Sequence, residues 1–226
     1  MARAPRSFLL EQLRTQADAV AAKRVQQLKL SREVVERIDE RMHAVFQYFD
    51  EACKLLQVIA PPIERSFELP HVVRYEGLHL EKASVMFRKQ RVLDRDVYDY
   101  VVVYYSLVGA PPEPLRVAIR RSPEVERALV AAHIEFTADT DSSVQTGATH
   151  NVLRFKPVLR CEVRFDPDFE NGRVVITLRN VDRFEPVILD FETAALDTQA
   201  LDDLANLILA KPSQFLLRAP LRGFSR

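Results

Sequence analysis

The chain has 226 residues, of which 47% are hydrophobic and 28% charged, and its formal net charge is zero. This composition is that of a globular protein with a sizeable core, and it excludes a disordered chain. It has no run of eighteen apolar residues, which excludes a membrane-spanning helix, and two cysteines are too few for a secreted disulfide scaffold. The N-terminus lacks the apolar stretch of a signal peptide, so we expect a soluble, cytoplasmic protein.

The charge is unevenly distributed along the chain. Residues 1–32 contain seven arginines and lysines against Glu11 and Asp18, a net charge of +5, so the remainder carries −5. A basic segment of this kind can meet an acidic partner, a phosphate backbone, or the acidic remainder of the same chain.

Residues 7–59 contain no Gly or Pro and are rich in helix formers. They predict a long helix, or a helical pair, that Pro61 and Pro62 end. Before residue 34 polar residues interrupt the helical pattern, and Ser31 followed by Glu33 is typical of a helix start. The two alternatives are therefore a pair of helices that meets near residues 29–31 and a single helix with a weak point there.

From residue 35 onward the apolar residues recur at alternating spacings of three and four, which predicts a helical seam that must be buried. The seam comprises Val35, Ile38, Met42, Val45, Phe49, Ala52, Leu56 and Ile59. It predicts either packing on the chain's own sheet or a homodimer. The residues predicted for the interface in the second case are Val35, Ile38, Met42, Val45, Phe49 and Leu56.

The rest of the chain, residues 63–226, has the pattern of a β-rich body behind a helical arm at residues 1–60. The predicted strands are 67–69, 72–75, 83–92, 97–108, 115–120, 134–137, 159–165, 173–181 and 187–191. One internal helix is predicted from Ser122 to Ala132, capped by Ser122, and a C-terminal helix from Asp197 or Thr198. Because few helices separate the strands, the sheet is expected to be mostly antiparallel, which makes the fold class α+β.

A polar stretch over residues 138–151 is predicted to be a loop. Loops of this length are either functional or disordered. Asp139, Asp141 and His150 could hold a metal or a small ligand there, although their spacing is not that of a known metal motif.

The strand 97–108 carries Tyr98, Tyr100 and Tyr104, which alternation places on one face, where they could line a ligand pocket. A basic run, 88–95, precedes this strand. Aromatic and basic residues together can bind single-stranded nucleic acid. Asp94, Asp96 and Asp99 interleave with the cations, however, and this favours a solvated face of a strand and its turn.

Three stretches resemble an uncharacterised family of proteobacterial proteins. They are Ser31 to Met42 (SREVVERIDERM), Phe46 to Ala52 (FQYFDEA) and Leu201 to Phe215. The resemblance implies a bacterial origin and no catalytic residues.

The sequence contains no nucleophile elbow and no glycine-rich phosphate loop, and neither cysteine lies in a catalytic motif. The leading interpretation is a non-enzymatic protein for interaction, assembly or regulation, without a cofactor or metal. The alternative is a ligand- or metal-binding sheet with a site near residues 138–151. A weaker alternative is nucleic acid or anionic lipid binding by the basic N-terminal helix through Arg14, Lys23 and Arg24.

Overall fold

The structure, a computed structural model, describes the backbone of residues 8–142 and 149–221 and the side chains of Gln16 and of residues 32–141 and 150–221. Mixed helices and mostly antiparallel sheets confirm the predicted α+β class. The helices are α1 (Phe8–Ile59), α2 (Ser122–Ala131) and α3 (Thr198–Ile208), with 3-10 turns at Ile119–Arg121, Thr193–Ala195 and Phe215–Leu217. The strands are β1 (Pro62–Ile63), β2 (Phe67–Leu69), β3 (Val73–Tyr75), β4 (Leu78–Val92), β5 (Arg95–Val108), β6 (Leu115–Ala118), β7 (Phe136–Ser142), β8 (Thr149–Phe155), β9 (Val158–Asp168), β10 (Arg173–Arg179) and β11 (Val187–Glu192).

α1 is one helix of 52 residues, which at 1.5 Å per residue is about 78 Å long. Its backbone is continuous through Ser31, because a capping residue between strong helix formers does not by itself interrupt a helix. The helix ends at Ile59, as predicted, where Ala60 turns to a positive φ of 43° before the two prolines. No helix in the part of the chain that the structure describes is long and apolar enough to cross a membrane.

The apolar seam of α1 packs on the chain's own sheet. Its central residues, Ile38, Met42, Val45 and Phe49, are at most 2% exposed, and they belong to the same core as the strands. Val35 is also buried, and Leu56 is half-buried against that core. Of the two predicted alternatives, the structure therefore shows the first, in which the seam packs on the sheet of its own chain. The six residues predicted for a homodimer interface are covered within the chain.

The large sheet has the strand order β1-β4-β5-β9-β10-β11, with antiparallel neighbours throughout. α1 lies over β4 and β5. α3 lies on the same face beside it, where Ala205 and Ile208 meet Phe49 and Val103. The hydroxyl of Tyr48 on α1 donates to Asp202 Oδ1 on α3 at 2.7 Å. The two helices together bury one face of the sheet.

β6, β8 and β7 form a second antiparallel sheet, in that order. The predicted loop at 138–151 is wrong at both ends, because β7 runs on to Ser142 and β8 begins at Thr149. The buried face of this sheet is supplied by Leu153 and Phe155 on β8. A polar strand such as β7 is stable when a neighbouring strand supplies the buried apolar side chains. The composition of residues 138–142 alone does not show that such a neighbour exists.

The two predicted helix caps have different outcomes. Asp197 caps α3 as predicted, since its Oδ1 accepts from the backbone N–H of Ala200 at 2.8 Å. Ser122 is not a cap, because it lies inside α2, whose N-cap residue is Arg121. The Ser122 hydroxyl instead accepts from Asn151 Nδ2 at 2.8 Å, which ties α2 to β8.

Candidate functional site

The three residues predicted to form a ligand or metal site do come together, on the outward face of the three-stranded sheet. Asp139 and Asp141 are two residues apart on β7, so their side chains share a face. Asp141 is the direct cross-strand neighbour of His150 on β8. This proximity arises from strand pairing and not from a loop.

Arginines already occupy both carboxylates of this cluster. Arg154 Nε lies 3.4 Å from Asp139 Oδ2, and Arg116 Nη2 lies 3.3 Å from Asp141 Oδ2. Among the described residues, no group of three or more His, Cys, Asp or Glu side chains is arranged to hold a metal ion. The intervening residues, 143–148, lie outside the described part of the chain. The geometry that is described is that of a solvated, charge-compensated strand face.

The tyrosines predicted to share a face lie on opposite faces of the large sheet. Tyr98 is paired with Lys89 and Tyr100 with Arg88, so Asp99 is an extra residue in β5. A one-residue bulge moves every following side chain to the other face. Tyr98 therefore faces α1 and Tyr100 faces away from it, and the two cannot line one pocket.

Tyr98 is a core residue that joins β5 to α1. It is 3% exposed, and its hydroxyl lies 2.9 Å from Nδ1 of His43. Its backbone N–H donates to Asp39 Oδ1 at 2.8 Å, which satisfies a donor next to the bulge. Burial, and after it the nearby Asp39 charge, raises the pKa of Tyr98. The phenol is thus held in its neutral form.

Tyr100, on the opposite face, lies between two guanidinium groups. Those of Arg164 and Arg88 are 4.1 Å and 5.2 Å from the centre of its ring, within the range of cation–π attraction. Both cations already have counter-ions, Asp166 for Arg164 and Asp99 for Arg88. The hydrogen bond to Asp166 raises the pKa of Arg164. Because its charge is compensated, this patch has little attraction left for phosphate groups.

The two cysteines are buried at 3% exposure each. Burial raises the pKa of the Cys53 thiol to about 11, and it also raises that of Cys161, whose cross-strand neighbour is Tyr105. A nucleophilic cysteine needs the opposite shift, because the thiolate is the reactive form. Neither thiol lies in the environment of a catalytic residue.

One surface that the sequence reasoning missed is the outer edge of β4. β1 pairs only with Leu78 and His79 of this strand, while β5 pairs with the other side of β4 along its length. From Lys82 to Val92 no strand in the described part of the chain pairs with the outer side. Eleven consecutive residues of β4 thus form a sheet edge, which we call the β4 edge.

The direction of the backbone groups along the β4 edge follows from one hydrogen bond. The Ala83 carbonyl accepts from Gln57 Nε2 of α1 at 2.6 Å, which indicates that this carbonyl points away from β5. In an antiparallel ladder the N–H and C=O of a residue point to the same side and alternate along the strand. The residues beyond Ala83 that point outward are therefore Val85, Phe87, Lys89 and Arg91. No described residue hydrogen-bonds to their outward groups.

Apolar side chains accompany these free backbone groups. Met86 is 52% exposed and Phe87 is 44% exposed. The Phe87 ring contacts Phe46 of α1 and Tyr98, with ring centres 4.8 Å and 5.3 Å apart, so the core fixes its position. An edge with free donors, free acceptors and a fixed exposed aromatic ring can accept an extended chain as an additional strand.

One sequence signal marked this segment without identifying it. Residues 82–92 contain four cations and no acidic residue, and charges of one sign are a common feature of edge strands. Edge position itself depends on the order of strands in the sheet, which the local sequence does not encode.

Comparison of this chain with protein-family models, with curated proteins and with solved structures finds no match. The resemblance to a proteobacterial family therefore stays a prediction. The features of this chain that bear on function are the chemical properties of its own residues, above all those of the β4 edge.

Proposed function

We propose that this chain is a non-enzymatic protein-interaction protein and that it binds its partner through the β4 edge. The observation that carries the proposal is the run of outward backbone groups at Val85, Phe87, Lys89 and Arg91, which have no partner among the described residues. Unpaired strand edges are templates for another chain, and proteins usually cover them.

The side chains around the β4 edge also support the binding of a partner chain. Met86 and Phe87 lie side by side in sequence but project to opposite faces of the sheet. An added strand would therefore meet an apolar group on each of its faces. Its backbone hydrogen bonds would supply affinity, and the alternate side chains would supply specificity.

The alternative of a metal or ligand site near residues 138–151 has less support. Asp139 and Asp141 each have an arginine partner, and a cation would have to displace those partners. The weaker alternative, nucleic acid or lipid binding through Arg14, Lys23 and Arg24, concerns side chains outside the described ones. No contact among the described residues bears on it.

Site-specific photo-crosslinking in the cells that produce the protein tests the proposal. Phe87 is replaced by benzoyl-phenylalanine, and in a matched control Val130, which is 65% exposed on α2, carries the same group. We expect a discrete adduct of one partner from position 87 that disappears when Val85→Pro removes an outward N–H. Equal labelling from both positions, or an adduct that survives Val85→Pro, would contradict the proposal.

A further inference from the structure

We infer that the partner segment of the β4 edge is an extended acidic peptide with an apolar centre, which adds to the sheet as a further strand. This inference rests on the proposed function and names the chemistry of the partner. Three properties of the edge support it: its charge, the position of its exposed apolar groups and the kind of hydrogen bond that it offers.

The charge of the β4 edge is positive and only partly compensated. Arg88 is paired with Asp99, and Arg91 with Asp94 at 3.8 Å. Lys82 and Lys89 have no carboxylate within ion-pair distance among the described residues. The Lys89 ammonium lies instead 4.9 Å from the centre of the Tyr98 ring. Two lysines on this edge are therefore available to carboxylates of a partner.

The apolar part of the surface lies between these two lysines. Lys82 and Lys89 are seven residues apart, which is about 23 Å along a strand. Val85, Met86 and Phe87 occupy the middle of that span, and both Met86 and Phe87 are about half-exposed. A complementary segment has apolar side chains at its centre and acidic residues toward both ends.

A second copy of this chain fits the edge poorly. Residues 82–92 of one copy contain four cations and no acidic residue, so two paired edges would bring eight cations into one ladder. Like charges on adjacent strands destabilise the pair. The lysines thus oppose self-association and favour an acidic partner.

A nucleic acid shares the negative charge but not the hydrogen-bonding pattern. The outward groups of Val85, Phe87 and Lys89 alternate donors with acceptors, as any strand does. A peptide backbone matches both kinds, whereas phosphate oxygens only accept. The edge geometry therefore favours a peptide.

The test uses the full chain and a capped synthetic peptide, Asp-Glu-Val-Thr-Val-Thr-Val-Glu-Asp, with binding measured by calorimetry. A peptide with lysine in place of each acidic residue is the charge control. Two further peptides carry N-methyl groups on alternate amides. One peptide is methylated at its odd-numbered residues and the other at its even-numbered residues. We expect the acidic peptide to bind at least about tenfold more tightly than the lysine peptide. One N-methyl set should abolish binding while the other should leave it nearly unchanged.

Variants of the protein locate the site. The double variant Lys82→Glu and Lys89→Glu should weaken binding of the acidic peptide by about tenfold or more. Lys211→Glu, a charge reversal at another exposed lysine, should change it by less than about twofold. Light scattering on the wild type and on Val85→Pro tests for pairing of two copies.

Several results would overturn the inference. They are no binding of the acidic peptide at about 1 mM, equal affinity for the lysine peptide, or equal effects of the two N-methyl sets. A dimer that Val85→Pro converts to a monomer would assign the edge to a second copy. Tighter binding of a single-stranded oligonucleotide, lost in the double variant, would assign it to nucleic acid. A crosslinked protein partner at position 87 together with failure of the acidic peptide would leave the proposed function standing and remove only the acidic partner.

Discussion

Asn180 illustrates how single side chains hold strands and helices of this protein together. It is 1% exposed and has a φ of +55°, a conformation that asparagine tolerates better than most residues. Its Nδ2 donates to the carbonyl oxygens of Ala132 at 3.0 Å and Arg160 at 2.9 Å. One amide thus joins the end of α2 to β9.

Replacement of Asn180 should therefore be costly for two separable reasons. Asn180→Ala loses both hydrogen bonds and places at positive φ a residue that tolerates this conformation less well than asparagine, so we expect a loss of about 2–4 kcal/mol in the free energy of unfolding. Asn180→Gly loses the same bonds without the strain and should be about 1 kcal/mol more stable than the alanine variant. Urea unfolding measures both, and values within about 0.5 kcal/mol of the wild type would contradict the assigned contacts.

Sequence patterns at the residue level predict contacts between residues that are close in the chain and miss contacts between distant ones. The Asp197 cap is local, since acceptor and donor are three residues apart, and it was predictable. The prediction that Tyr98 and Tyr100 share one face of the sheet is wrong, because Asp99 bulges out of the ladder. The bulge is stabilised by Asp39, whose carboxylate accepts a hydrogen bond from the backbone N–H of Tyr98. The two residues are 59 positions apart in the sequence.

At the scale of elements, the β4–β5 hairpin creates the candidate site. Its two-residue turn, Leu93 and Asp94, has positive φ at both positions, 47° and 64°, as a tight hairpin requires. This turn places β5 along one side of β4. The short β1 covers only the start of the other side, and the β4 edge follows from that mismatch in length.

Proline substitutions test which side of β4 is free. Val85→Pro removes an outward N–H that has no described partner, so it should cost only about 1 kcal/mol. Met86→Pro removes an N–H that points to β5, and it should cost about 3 kcal/mol or more. Chemical denaturation of the two variants measures the difference. Similar losses for both would place the free backbone groups elsewhere.

At the scale of the whole molecule, the second half of α1 is a part of the core. Among the side chains of α1 that the structure describes, the buried ones are Val35, Ile38, Met42, Val45, Phe49 and Cys53. Burial of the large sheet depends on α1 and α3 together, since both lie on the same face. The division into an arm at 1–60 and a body at 63–226 therefore does not coincide with the boundary of the core.

Two truncations test this organisation. A chain without residues 1–31 keeps the buried side chains of Val35, Ile38, Met42 and Phe49, so it should still fold. A chain without residues 1–60 loses several buried side chains, each worth about 2–5 kcal/mol. That exceeds the stability of a typical domain, so it should not fold. Circular dichroism and thermal unfolding distinguish these results, and a folded chain lacking residues 1–60 would contradict the packing of α1.

Burial also predicts how the stability depends on pH. The pKa of Cys53 is raised from 9.0 to about 11, and that of Tyr75 to about 12, in both cases mainly by burial. A group whose pKa is higher in the folded state stabilises the fold fully below its unfolded pKa, and this stabilisation is lost as the pH rises through the folded pKa. Stability should therefore fall above about pH 9.

Cys53→Ala isolates one part of that alkaline effect. We expect the variant to lack about 1 kcal/mol or somewhat more of the decline between about pH 9 and pH 11, after allowance for solvent screening of the thiolate. Urea unfolding at several pH values, with tyrosinate absorbance as a second signal, measures it. An identical pH profile in the variant and the wild type would mean that the Cys53 thiol ionises equally easily in both states.

Local sequence patterns were enough to predict the secondary structure of this protein where the apolar signal is dense. The long helix, its end at the two prolines, the strongest strands and the helical seam all depend on residues that lie within a few positions of one another. The α+β class follows from the order of these elements.

Contacts between residues that are distant in sequence determine which surfaces those elements cover and which they leave open. The seam of α1 could bury its apolar stripe on any apolar face, and the sheet of the same chain is the one that it meets. The paired state of Asp139 and Asp141, the opposite faces of Tyr98 and Tyr100, and the β4 edge all depend on partners distant in sequence. Such contacts depend on strand order and register, which a local pattern does not specify.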